Sequence, residues 1–152
     1  MATIKSYTDL EQSKRLAEIL PLESADMDYI PVVNLKGEYA ISVNEWDNDH
    51  ILDEDWIPCW SLAALLNLLP NEISTDDRFE CHYQIHIRKY DGGDNTTLFQ
   101  IAYGNNRSLS GSWHDMINTG EKECLIDCCV QMILKLHELN LYYEKLYRFR
   151  PK

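Results

Sequence analysis

Cations are scarce in this chain of 152 residues: 14 lysines and arginines stand against 25 aspartates and glutamates, for a formal net charge of −11. Phosphate contacts need Lys and Arg, so most of the surface is unsuited to nucleic-acid backbones or anionic lipid. Long apolar runs are missing as well. No stretch approaches the roughly 18 apolar residues of a membrane span, and MATIKSYTDLEQSKRLAEIL lacks the apolar core of a signal peptide. A cytoplasmic setting is expected. The chain has no GxSxG, no Walker loop and no dinucleotide glycine fingerprint. Cys59, Cys81, Cys124, Cys128 and Cys129 are odd in number and lack a CxxC spacing, which argues for reduced, mostly core thiols over a disulfide framework. No cofactor and no metal are expected.

What is present suits one globular domain over residues 1–152. Hydrophobic residues make up 45% of the chain and include four Trp and nine Tyr, enough apolar surface to offset chain entropy. Thr8 with Glu11 reads as a capping box opening a helix over 8–20, with Leu10, Leu16, Ala17 and Leu20 as its stripe and Pro21 as its stop. Residues 29–33 and 38–43 read as a hairpin turning on Asn34, Leu35, Lys36 and Gly37. IPCWSLAALLNLLP places a buried helix over 61–69, N-capped by Ser61, and NEISTDD after it reads as a polar turn. Strand-like runs follow at 79–90, 97–103 and 107–112. Leu125, Cys128, Cys129, Met132, Ile133, Leu136 and Leu139 recur at three and four, predicting a long helix over 120–140 that starts near Asn118 and Glu121. The expected fold is α+β: an antiparallel sheet of about five strands packed against that C-terminal helix and the shorter central one.

Two segments stand out by charge. EWDNDHILDEDW holds six carboxylates within residues 45–56. Ile51 and Leu52 stand where a calcium loop needs an oxygen ligand and a glycine, so a solvated acidic loop flanked by Trp46 and Trp56 is the reading. Trp46, Asp47, Asp49, Asp53 and Trp56 are its candidate contacts for a protein partner. YYEKLYRFRPK, over 142–152, is a basic aromatic tail. Tyr147, Arg148 and Arg150 there suit stacking on RNA, or docking onto the acidic body or a neighbouring subunit.

The stretch most like an active site is CHYQIHIRKY, residues 81–90. Phe79, Cys81, Tyr83, Ile85 and Ile87 alternate with Glu80, His82, Gln84, His86 and Arg88, which is the period of a strand. Histidines four apart on a strand are separated by about 13–14 Å, whereas zinc holds each nitrogen within about 2.1 Å. A shared metal is excluded. A polar sheet face bearing His82, His86 and Arg88 remains, either simply wet or lining a cleft where His114 or His137 assists acid–base chemistry. Cys124 and Cys128, at i and i+4, have the spacing of soft metal ligands but belong to an apolar stripe, where cysteine packs as a small hydrophobe. Ser108, Ser110, Ser112 and His114 in RSLSGSWH read as the end of an edge strand.

TIKSYTDLEQSKRLAEILPLESADM, IPCWSLAALLNLLP and DCCVQMILKLHELNL resemble three blocks of a family of small uncharacterised proteins of gut bacteria, linked to phages or mobile elements. The blocks span about a third of the chain. The resemblance implies a bacterial cytoplasmic setting and carries over no functional residue, because the family has no assigned activity. YYEKLYRFRPK departs from the pattern, continuing past the point where relatives stop. The expected function is a non-enzymatic accessory or regulatory protein that binds another protein or itself. The alternative is a small hydrolase or nucleotide-acting enzyme built on His82, His86 and Arg88.

Overall fold

A computed structural model describes residues 5–43, 55–75 and 81–141. Its first helix, α1, runs Leu10–Ala17. The capping box exists one residue later than the sequence suggests. Asp9 accepts from the Gln12 N–H, and the Gln12 side chain accepts from the Asp9 N–H. Thr8 is instead wholly buried, its hydroxyl shared between Ser13 Oγ and the Trp60 N–H.

Strands β1 (Met27–Pro31) and β2 (Tyr39–Val43) form the expected hairpin. The turn places Asn34 at φ +69° and Gly37 at φ +84°, the left-handed region that these two residue types enter most cheaply. A short strand within IPCWSL, β3 (Ile57–Cys59), returns to the other side of β1. Pro58 lies opposite Asp28 in this pairing. Beyond β3, residues 6–8 pair with residues 60–62: Thr8 N–H donates to Trp60 C=O, and Leu62 N–H donates to Ser6 C=O. The result is a three-stranded antiparallel sheet in the order β2-β1-β3.

Helix α2 (Leu62–Leu68) is capped by Ser61, as its sequence implies, and Asp26 grips the Ser61 N–H and hydroxyl in turn. The segment read as a polar turn contains strand β4 (Glu72–Ser74), whose central Ile73 is buried. Strands β5 (His82–Asp91), β6 (Thr97–Asn105) and β7 (His114–Asn118) complete a second antiparallel sheet, β4-β5-β6-β7. The last strand therefore falls later than 107–112. In that stretch Ser108 Oγ bonds Ser110 Oγ and the Ser112 C=O, so serine side chains serve a turn where a ladder was expected. Helix α3 (Leu125–Glu138) starts after Cys124, with Asn118 still in β7, and covers a shorter span than 120–140.

The architecture is α+β with two sheets, of three and four strands, where the sequence suggested one of about five. The reason is pairing: β3 adds to the free side of the first hairpin and closes a separate small sheet, a choice of edge that strand periodicity does not encode. One hydrophobic cluster joins the elements, with Leu16 of α1, Trp60, Leu65 of α2, Ile101 and Tyr103 of β6, and Ile126, Met132 and Ile133 of α3 all at its centre. Trp60 is fully buried and its indole N–H donates to Ser24 Oγ at 3.0 Å. Lys5 bridges Asp9 and Asp127 at 3.0 Å each, tying the start of α1 to the first turn of α3.

Cys59, Cys128 and Cys129 are wholly buried. Burial raises the pKa of all three thiols, that of Cys129 to about 12, with neighbouring Cys128 adding to the rise. These are packing residues, not thiolates.

Candidate functional site

Register decides which side chains share the polar face of the second sheet. His82, Gln84, His86, Arg88 and Tyr90 of β5 point one way. Across the ladder Glu72 lies opposite Gln84, Gln100 opposite Arg88, Ala102 opposite His86 and Gly104 opposite Gln84, with Asp115 of β7 next to Gly104. The other face, with Ile73, Tyr83, Ile85, Phe99, Ile101, Tyr103 and Ile117, packs into the core.

Each of the three candidate chemical side chains has an intramolecular partner on this face. Arg88 forks onto Asp115, Nη1 to Oδ2 at 2.8 Å and Nη2 to Oδ1 at 2.6 Å, and Nη1 also donates to Gln100 Oε1 at 3.0 Å. Tyr90 donates to the same Gln100 oxygen at 3.1 Å, and the Trp113 indole N–H donates to Asp115 Oδ1 at 2.8 Å. The hydrogen bonds with Asp115 hold the Arg88 pKa above its ordinary value, and those with Arg88 hold the Asp115 carboxyl below its own. Both directions describe a planar, charge-assisted pair, with the two side chains 24% and 21% exposed.

His86 lies beneath Trp113, ring centroids 3.7 Å apart and planes within 12°. The stack depends on Gly104. A Cβ there would fall 2.3 Å from His114 C=O and 2.8 Å from Trp113 Nε1, so only glycine lets the indole cross β6 to reach β5. A register shift between Tyr103 and Gly104 accompanies the crossing. His82 Nδ1 meets Glu72 Oε1 at 2.8 Å on the neighbouring strand.

His114 pairs with Asn105, which places it on the face opposite His86, and His137 is on α3, behind the sheet. Neither joins the other two histidines. A depression of about 390 Å³ lies at the β5–β6 turn, lined by Lys89, Tyr90, Asp91, Asn95, Thr96 and Thr97, and of the polar network it borders Tyr90 alone. No group of three or more His, Cys, Asp or Glu suited to a metal occurs among the described residues.

Sequence reasoning placed His82, His86 and Arg88 on one face but missed Glu72, Gln100, Gly104, Trp113 and Asp115, which engage or make room for them. The available signal was Trp113 and Asp115 just past the serine run; it was hidden by placing the strand too early. Of the partner-binding candidates, Trp56 is half-buried. Trp46, Asp47, Asp49 and Asp53, and Tyr147, Arg148 and Arg150 of the tail, lie outside the described residues. Among the described residues no helix is long and apolar enough to cross a membrane.

Searches against family models, curated proteins and solved structures return no match to the chain.

Proposed function

We propose that this chain is a non-enzymatic interaction protein, an accessory or regulatory factor of a bacterial mobile element that works in the cytoplasm by binding another protein or itself. The observation that carries this reading is the commitment of the polar face. Arg88 is bonded to Asp115 and Gln100, His82 to Glu72, and His86 is stacked on Trp113, and the depression at the β5–β6 turn borders none of these three side chains. Exposed apolar side chains lie elsewhere, with Val33 81% and Leu35 51% exposed at the turn of the first hairpin and Val43 68% exposed at its open end. The acidic segment bearing Asp47, Asp49 and Asp53 follows β2 directly in sequence and supplies charge that suits a basic partner.

The test is affinity capture from bacterial lysate at native salt with the full chain, in parallel with a His86→Ala, Arg88→Gln double variant. Reproducible recovery of the same protein by both forms is expected. Failure to retain any protein, together with ester or phosphoester hydrolysis that the double variant abolishes, would overturn the reading in favour of a small hydrolase.

A further inference from the structure

We infer that the β2 edge is a self-association seam at which a second copy of this chain adds its own β2, antiparallel, about a two-fold axis at Ile41. This deepens the interaction-protein reading and rests on it. The bond from Val32 N–H to Glu38 C=O, 2.9 Å, sets the phase of the β1–β2 ladder. Residues paired across an antiparallel ladder alternate between exchanging hydrogen bonds and not, so Ala40 and Ser42 bond inward to Ile30 and Asp28. Tyr39, Ile41 and Val43 therefore turn their N–H and C=O groups outward, away from β1. Pro31, which has no N–H, lies opposite Tyr39 at a position where none is needed. Among the described residues nothing pairs with this outward edge.

The other edges differ. The outer side of β3 continues into residues 60–62, which residues 6–8 cover. Strand β4 has three residues and carries Glu72, and β7 carries His114 and Asp115 and has its Asn118 C=O bonded by Lys135. In a chain of net charge −11, Tyr39–Val43 contains no charged side chain, so two copies approach here without like charges meeting in the seam.

The strand is also complementary to itself. With Ile41 on the axis, Ile41 faces Ile41 and Tyr39 faces the second copy's Val43. All three outward residues then exchange bonds, about six in total, and each exposed Val43 gains an aromatic cross-strand neighbour. Tyr39 is already braced for that contact by an edge-to-face array with Tyr29 and Tyr7, at centroid separations of 6.2 and 6.5 Å. Such a symmetric contact closes on itself as a dimer and uses up the β2 edge of both copies.

Sedimentation of the full chain over a wide concentration range tests this. The expected result is a mass that doubles from 17.8 kDa as concentration rises. Ile41→Lys and Ile41→Glu each set like charges against each other on the axis and are expected to remain monomeric, while an equimolar mixture of the two restores the dimer. Circular dichroism checks that both variants fold. Ile41→Cys gives an independent readout: only the residue on the axis meets itself, so it should form an intermolecular disulfide under mild oxidation where Ala40→Cys does not. A wild-type chain that stays monomeric throughout, or a dimer indifferent to both charge variants, overturns the seam. If that monomer still captures another protein, the seam fails and the interaction-protein reading stands; if it captures none, both fail.

Discussion

The two sheets of this protein are built from the same antiparallel hairpins and finished in opposite ways. The four-stranded sheet spends its polar side chains on itself: Arg88 on Asp115, His86 on Trp113, His82 on Glu72. In the three-stranded sheet the continuation of β3 is paired by residues 6–8, while among the described residues nothing pairs with the outer side of β2, whose Val43 is exposed. A face crowded with chemically capable residues can thus be internally bonded, while a neutral strand with no such residue has an edge that nothing pairs with among the described residues. Reactive side-chain types alone therefore do not mark a site.

The largest expected effect separates the inner faces. Ile101→Ala, at a fully buried position of β6, should cost about 2–5 kcal/mol in denaturant unfolding, whereas Val43→Ala on the bare strand should stay within about 0.5 kcal/mol. Comparable losses at the two sites would break the contrast. Next comes Gly104→Ala, which drives a methyl into His114 C=O and the Trp113 indole. A loss of about 1–3 kcal/mol is expected, with the Trp113 indole N–H resonance and the His86 ring protons moving together as the stack opens.

Asp115→Asn should cost about 1 kcal/mol, since the pair with Arg88 is partly exposed and solvent screens it. Its pH signature is distinctive. The folded carboxyl titrates below its ordinary value, so its contribution is complete above the unfolded pKa of about 4 and is lost as pH falls through the lower folded value. The wild-type minus variant difference in stability, followed by unfolding at successive pH values, should shrink on acidification. A difference that stays constant on acidification would show that Asp115 gains nothing from Arg88. The smallest effect belongs to Glu72→Gln, which should change stability by less than about 1 kcal/mol, because an exposed pair contributes little.

Much of the local structure is legible in the residues. Alternation in CHYQIHIRKY puts Cys81 and the histidines on opposite faces, Ser61 caps α2, and Asn34 and Gly37 form the first turn. Misplacements arose where side chains compete with backbone. Asp9 and Thr8 are both good caps, and Thr8 lost the role because the core took its hydroxyl. The serines at 108–112 are compatible with a strand, yet they bond one another in a turn. The site was legible only by half: His82, His86 and Arg88 share a face by period alone, but their partners arrive from β4, β6 and β7, through a register that no single segment contains.

By itself, the sequence determined the three helices, the first hairpin and the two long strands β5 and β6 with their approximate spans and faces, because those follow from helix and strand periods and from the few residues that cap or turn a chain. Tertiary structure alone decided that the strands divide into two sheets, that the polar face closes on itself and that, among the described residues, the outer side of β2 has no strand beside it. Each of these depends on which edge meets which and in what register, a choice made by the shared core around Trp60, Ile101 and Ile133 and not by any local preference.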